Sequence, residues 1–342
     1  MDSVTQACLG AALGAATLPR LGRRALLLGA ALGTLPDLDV LIDYGDAVAN
    51  FSRHRGFSHS LFVLTGVATL FAWGASRWPR TREIAGFGHW WWLFALCLLT
   101  HPIIDAFTTY GTQLWWPIPM TPVAWDNLSI IDPLFTLPML VGVILFAWQP
   151  RHHRWLCGLF GLSCLYVVFS FGAKAYVESR LTSALAERGL GDAPVLVQPA
   201  PLTMLLWRVT VIDDGQALEG WVGLFDGDSS IDLTPWPLGE RWREAALQTA
   251  DGQRLAWFCG PFLSYDVRSS AEGDILEVTD IRLLVPGAHP FTFAIARRDA
   301  GGHWEAITAT QEPAPRPTRA VMKRLMQRII DPQVVPVPGP GA

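Results

Sequence analysis

Charge is scarce in this chain. Of 342 residues only 16% are charged, against roughly 25% in soluble domains. Apolar residues reach 51%. That balance excludes an ordinary soluble fold for the whole chain and points to an integral membrane protein. Cysteine is scarce as well. Cys8, Cys97, Cys157 and Cys164 lie in apolar segments and only Cys259 lies in a polar one, so no disulfide framework is expected. A basic opening is missing: the chain starts at Asp2 with a Gly/Ala-rich apolar run, so no cleavable leader is expected. The net charge of -4 carries no nucleic-acid signal.

What is present is unevenly spread. Apolar content concentrates before about Val177, and the pattern predicts about six apolar helices there. They cover Ser3–Leu18, Arg24–Ile42 with a break at Pro36, Ser58–Trp78, His89–Phe107, Ile130–Trp148 and Trp155–Val177. The last four approach the ~20 residues needed to cross hydrocarbon. The first two are weaker. Gly10, Gly14, Gly29 and Gly33 give them the small-xxx-small spacing of closely packed helices, with a shallow re-entrant hairpin as the alternative. If all six cross, Arg20, Arg23, Arg24, Arg77, Arg80, Arg82, Arg151 and Arg154 share one side. The Thr108–Ser129 loop on the other side has no Lys or Arg. The positive-inside rule makes the Arg-rich side cytoplasmic. Trp115, Trp116 and Trp125 then belong to the outer interface, and the following domain lies outside the cytoplasm.

After residue 178 a small, mainly β soluble domain is expected over 195–310. Leu205–Ile212 and Glu219–Phe225 flank the turn Asp213-Asp214-Gly215. Further strand-like runs are Arg254–Cys259, Asp274–Leu284 and Pro290–Arg297. Arg298–Ile307 contains a Gly301-Gly302 turn. Residues 314–331 read as a basic amphipathic helix. Val321, Met322, Leu325, Met326, Ile329 and Ile330 form one stripe, either on headgroups or packed on the β domain. A Pro/Gly-rich tail over 332–342 is expected to be disordered.

The chemistry-bearing residues sit at the ends of apolar segments: Asp2 to Gln6, Asp37 and Asp39, His54 to Ser60, and His101 with Asp105. Ionisable groups near a bilayer are costly and mark function by default. The predicted topology brings all four clusters to one membrane face. Imidazole and carboxylate without nearby cysteine are hard or borderline metal ligands. His101 and Asp105, four apart, share a helix face. Asp37 and Asp39, two apart, reach one centre only if Pro36 breaks the helix. Gly56 permits a tight turn between His54 and His59. Ser58 is read as a cap and Arg55 as a phosphate or carboxylate holder or a headgroup contact. Asp132-Pro133 reads as a helix start.

These residues resemble a known family. Met1-Asp2-Ser3-Val4-Thr5-Gln6, Leu35-Pro36-Asp37-Leu38-Asp39, His54-Arg55-Gly56-Phe57-Ser58-His59-Ser60 and His101-Pro102-Ile103-Ile104-Asp105-Ala106-Phe107-Thr108-Thr109-Tyr110-Gly111-Thr112 are similar to the YdjM/YfhP family. The resemblance is strong over the first half and fainter through Leu205-Leu206-Trp207-Arg208-Val209. Members are described as bacterial inner-membrane, metal-dependent hydrolases, distantly similar to zinc-dependent phospholipase C. The resemblance implies zinc or another divalent ion held by Asp37, Asp39, His54, His59, His101 and Asp105. The phospholipase pattern also uses an N-terminal amine and a His-x-x-x-Glu pair, and this sequence has no equivalent of that pair. Asp37 or Asp39 would serve as general base. A site at the bilayer favours an amphiphilic substrate such as a phospholipid or lipid-linked phosphate. Two rivals use the same residues: a metal or proton transporter, and a scaffold with a structural metal. Transport needs polar groups through the bilayer depth, whereas Leu61 to Ala75 and Val141 to Ala147 lack ionisable side chains.

Overall fold

Glycines bring the first two helices into contact. In the computed structural model, α1 (Ser3–Thr17) packs on α2 (Arg23–Thr34). A Cβ on Gly10 would meet the Gly29 carbonyl oxygen at 2.1 Å, and one on Gly33 would meet the Gln6 carbonyl oxygen at 2.5 Å. Only glycine permits that approach, as small-xxx-small spacing predicts. The structure describes residues 1–227, 229–270, 273–299 and 301–340. It divides into two units: Met1–Ile42 with Arg53–Phe171, and Asp43–Ser52 with Gly172–Ala342.

The first unit is helical. Pro36 opens a 3-10 turn over Pro36–Leu41, at the break the sequence predicts. After α3 (Ala47–Arg53), a second 3-10 turn spans Phe57–His59 and leads into α4 (Leu61–Arg77). The short α5 (Pro79–Arg82), α6 (Phe87–Ala106), α7 (Pro133–Trp148) and α8 (His153–Glu187) follow. Asp132 caps α7 by accepting from Phe135 N, with Pro133 in the first turn. Arg23 donates to the carbonyls of Ala147 at 2.5 Å and Trp148 at 2.8 Å, joining the start of α2 to the end of α7.

Two helices are long and apolar enough to cross a membrane, Phe87–Ala106 and the segment Pro150–Glu187. The pair Ala47–His59 and Leu61–Arg77, bent by 47°, passes only as one broken span. By length and composition two or three crossings are thus supported among the described residues, and the remaining apolar helices do not qualify as spans. The reason is length. With 15 and 12 residues, α1 and α2 reach about 22 and 18 Å at 1.5 Å per residue, short of the ~30 Å hydrocarbon core. The apolar α7 has 16 residues.

The second unit carries two antiparallel four-stranded sheets, ordered β1-β2-β3-β4 and β5-β6-β7-β8. The first contains β1 (Val195–Pro199), β2 (Leu206–Asp213), β3 (Gln216–Gly223) and β4 (Thr234–Pro237). Asp213 pairs with Gln216. The two-residue turn between them has φ of 41° at Asp214 and 70° at Gly215, the left-handed pair that suits a hairpin. The helices α9 (Arg243–Leu247) and α10 (Ala250–Cys259) precede the second sheet. That sheet comprises β5 (Leu263–Ser270), β6 (Gly273–Asp280), β7 (Phe291–Arg298) and β8 (Trp304–Gln311).

The expectation of a strand over Arg254–Cys259 is therefore wrong. Thr249 caps the segment through Gly252 N, and Leu255, Phe258 and Cys259 bury at helical spacing. The C-terminal helix α11 (Arg319–Arg328) buries Leu325 against Ala200, Leu206, Val285 and Ala288, with Val321, Met322 and Ile329 beside it. It takes the packed alternative of the two readings of its stripe. Val337 joins the same cluster, so part of the segment expected to be disordered is packed. Gly341 and Ala342 of that segment lie outside the described residues.

Candidate metal centre

Pro36 separates the two aspartates. It starts a 3-10 turn, in which residues two apart point in different directions. Asp37 Oδ1 lies 3.4 Å from His59 Nε2 and 3.3 Å from His101 Nε2. Asp39 faces away from that point. Its Oδ1 meets His54 Nδ1 at 2.8 Å, and its Oδ2 accepts from Arg55 N at 3.0 Å and from Ser58 Oγ at 2.6 Å.

His59 is delivered by a strained approach. Arg55 has φ of 60°, a left-handed conformation costing a non-glycine residue about 1–2 kcal/mol. Contacts on every side hold it there. Its carbonyl accepts from Gln113 N at 3.0 Å, and its Nε lies 3.2 Å from Asp105 Oδ2. Its Nη1 donates to Thr108 Oγ1 at 3.3 Å. Its guanidinium also stacks 4.9 Å from the Tyr110 ring centroid. The next residue, Gly56, has no room for a Cβ, which would lie 2.7 Å from the Arg53 carbonyl oxygen.

His101 and Asp105 lie one turn apart in α6, with His101 Nε2 3.5 Å from Asp105 Oδ2. One donor atom from each of Asp37, His59, His101 and Asp105 falls within 4.8 Å of all the others. The two Nε2 atoms are 3.1 Å apart, and His59 Nε2 is 3.2 Å from Asp105 Oδ2. Five of the six separations therefore run from 3.1 to 3.5 Å. Metal–ligand bonds of about 2.0–2.1 Å in a tetrahedron require edges of about 3.3–3.4 Å. Five of the six edges thus have the length a tetrahedral divalent ion needs, and the group could hold such an ion.

The outer hydrogen bonds turn the donors the same way. His101 Nδ1 sits 2.5 Å from the Gly33 carbonyl oxygen. A carbonyl only accepts, so the hydrogen-bond network assigns the proton to Nδ1 and leaves a lone pair on Nε2. The glycine packing of α1 on α2 sets that carbonyl in place. Ser58 Oγ donates to Asp39 and stands 2.9 Å from His59 Nδ1. It is thus the acceptor for His59, and His59 Nε2 is also left free. Asp105 Oδ1 accepts from Gln6 Nε2 at 2.9 Å and from the Met1 amine. Its Oδ2 is buried with no hydrogen-bond partner. Arg55 Nε faces it as an ion pair without a hydrogen bond, so its acceptor capacity is unspent, and a cation at the centre of the four donors would use it. Arg55 and the Met1 amine place two positive charges against this one buried carboxylate.

Of the residues singled out in the sequence, Asp37, His59, His101 and Asp105 come together. Asp39 and His54 form a pair behind them, and Asp39 reaches His59 through Ser58. Arg55 is buried against Asp105 rather than open to a ligand. Ser58 does not cap α4; Ser60 does, accepting from Val63 N. Asp2 caps α1 through Val4 N and Thr5 N. The Gly33 carbonyl had no sequence signal, because a backbone group's partner depends on packing alone; the Met1 amine had one only through the N-terminal amine of the phospholipase pattern. Tyr110 is buried beneath Arg55.

The comparisons with known proteins agree with the residues. The model of the family described as YdjM inner membrane protein matches residues 1–177. The chain is 30% identical to the inner membrane protein YbcI of Escherichia coli K12 over 155 residues, covering 42% of this chain and 86% of that protein. It is 22% identical to the uncharacterized protein YfhP of Bacillus subtilis 168 over 313 residues, covering 85% of this chain and 89% of that one. No solved structure matches. The family match spans more than half of the chain and takes in all four converging side chains, and the chain belongs to the YdjM inner membrane protein family.

Proposed function

We propose that this chain is an inner-membrane, metal-dependent hydrolase acting on an amphiphilic substrate, with phosphoester cleavage as the favoured chemistry. The observation that carries this reading is the set of tetrahedral edge lengths among the donors of Asp37, His59, His101 and Asp105. Two imidazoles and two carboxylates in that arrangement favour zinc. When bound, such an ion polarises a phosphoryl or acyl oxygen and lowers the pKa of water toward neutrality.

The chain's own residues supply the rest. The Asp37 side chain is 23% exposed, whereas those of His59, His101 and Asp105 are fully buried; substrate therefore enters past Asp37. The turn that carries Asp37 exposes Leu38, Val40 and Leu41, and the turn that carries His59 exposes Phe57. Apolar side chains flanking the entrance suit a substrate with a hydrocarbon part. His54 is 24% exposed with Nδ1 held by Asp39, and its ring centroid is 5.9 Å from that of His59. A His oriented by a carboxylate beside a metal centre is placed to take or deliver a proton. His54 is assigned that role and Asp39 that of positioning it, in place of direct ligation by either.

Metal analysis of detergent-purified protein, followed by a screen of phosphodiesters and phosphomonoesters, tests the reading. Stoichiometric zinc with phosphoesterase turnover is expected. Protein that stays metal-free after zinc is supplied would overturn it. His54→Gln should keep metal and lose turnover.

The Arg-rich loops are proposed to face the cytoplasm. The Arg23 bonds to the α7 terminus support this by joining two of those loops at one end. The β unit is then placed outside the cytoplasm. A reporter fused after Gln311 should be active on the periplasmic side; activity in the cytoplasm alone would reverse the orientation.

A further inference from the structure

Between the two sheets of the second unit lies a cavity of about 490 Å³, within the 300–1,000 Å³ range of ligand pockets. Strands β3 and β4 line it on one side and β5, β6 and β7 on the other. The Pro286-Gly287 loop and the residues after β8 complete it. None of these groups belongs to the metal centre.

Its charge is one-sided. The lining holds the carboxylates of Glu219, Asp266, Glu277 and Glu312 against the single guanidinium of Arg268. Arg208 neutralises Glu219 from behind, with contacts of 2.6 and 2.8 Å. Arg268 is shared between Glu277 at 2.5 Å and Glu312 at 3.2 Å, so one guanidinium faces two carboxylates. Among the described residues Asp266, exposed at the rim, accepts from the backbone of Val267 and pairs with no cation. Two negative charges remain uncompensated at the mouth of a partly closed space.

The neutral groups point the same way. His289 Nδ1 lies 3.0 Å from the Leu283 carbonyl oxygen, which fixes the proton there. Nε2 is left as an acceptor, and the side chain lines the cavity. Burial, then the charge of Arg208, pull this imidazole's pKa down to about 4, so it stays an acceptor at neutral pH. The Trp236 ring forms part of the wall. It offers a face on which an organic cation is attracted electrostatically.

We propose that this cavity binds a small organic cation: an ammonium group with N–H donors, carried on an apolar or aromatic body. The carboxylates and the imidazole acceptor read the N–H groups, and Trp236 reads the body. An anionic ligand would meet the uncompensated carboxylates, and a neutral one would leave them unbalanced.

The test uses full-length protein in detergent and three matched probes: tryptamine, its alcohol analogue tryptophol, and indole-3-propionate. Calorimetry should show tryptamine bound at least about tenfold more tightly than tryptophol, with no binding of the carboxylate, as expected for a charge read at short range. Asp266→Asn, at an exposed position where folding is not at stake, should weaken tryptamine several-fold. Arg268→Gln removes the competing cation and should strengthen it, a gain that misfolding cannot produce. Trp236→Leu should weaken tryptamine and tryptophol alike. His101→Ala, in the metal centre, should leave all three unchanged, so this inference fails or stands apart from the proposed hydrolysis. Equal affinity for tryptamine and tryptophol would overturn the proposal. So would weaker tryptamine binding by Arg268→Gln, or no tryptamine binding by the wild type at about 1 mM.

Discussion

Buried charges in the second unit are closed off in pairs. Arg208 grips both oxygens of Glu219, which also accepts from Thr210. Arg282 holds Asp280 at 2.9 and 2.7 Å, and Arg328 holds Asp226 at 2.7 Å on each oxygen. The first unit treats its buried polar groups differently. Its two imidazoles turn lone pairs toward two carboxylates, and Asp105 Oδ2 accepts from nothing. A saturated fork has no capacity left for a ligand and serves only to hold strands and helices in place. A set of acceptors facing one another is destabilising until a cation joins them. The same residue types therefore mean different things in the two units, and the deciding feature is unspent acceptor capacity rather than burial.

The largest expected effect tests the saturated side. Arg208→Met strands the buried Glu219 and should cost about 3–5 kcal/mol of unfolding free energy, whereas Arg208→Met with Glu219→Leu should recover most of it. Denaturant unfolding of the full chain measures both. A single variant as stable as wild type would show that the fork is not what holds this sheet.

Next come the ligands of the unsaturated side. His101→Ala should insert and purify normally, because the helices satisfy their backbone hydrogen bonds without the ion; Asp105→Asn also strands Arg55 and the Met1 amine and should lose stability besides. Metal affinity should fall by more than about a hundredfold, beyond the 10–100-fold typical of groups that only support a ligand. Wild-type metal content in both variants would sink the ligand assignment. Ser58→Ala comes third. It removes the acceptor that turns His59, and metal affinity should drop by about tenfold with little change in stability. The smallest effect belongs to its neighbour. Ser60→Ala removes the α4 cap and should cost about 1 kcal/mol of stability, with metal content intact. If Ser58→Ala and Ser60→Ala behave alike, Ser58 is not part of the support for His59.

That pair also shows how far sequence reasoning reached. Local rules worked where a residue's partner lies within a few positions. Asp132-Pro133 starts α7, and Asp214-Gly215 turns β2 into β3. They failed where two local solutions compete. Ser58 and Ser60 are both able to cap α4, and the contact of Ser58 with Asp39, nineteen positions away, decided between them. Arg254–Cys259 is apolar enough for a strand, but Thr249 and Asp251 give it a helix start. The four converging side chains were all legible as ionisable groups at segment ends. Their division into inner donors and the outer Asp39–His54 pair was not, because it depends on how the 3-10 turn at Pro36 rotates two neighbouring carboxylates. The crossing count was not legible, because hydropathy does not separate a short packed helix from a span.

The discontinuous boundary between the units bears on how the chain is dissected. The second unit takes in Asp43–Ser52 as well as everything from Gly172 onward. Phe51 of that inserted segment packs 4.9 Å from Phe258, 4.7 Å from Phe291 and 5.2 Å from Phe293, centroid to centroid. Arg254 donates to the Ser52 hydroxyl at 2.9 Å and to its carbonyl at 3.3 Å. The polypeptide thus passes between the units three times, after Ile42, Ser52 and Phe171. A single proteolytic nick near residue 172 leaves two covalent tethers intact. A fragment ending at residue 177 retains every donor of the candidate metal centre but strips Phe51 of Phe258, Phe291 and Phe293, leaving a sticky loop between Asp39 and His54. Excising the helical half as a self-sufficient module therefore calls for redesign of residues 43–52, not merely a stop codon.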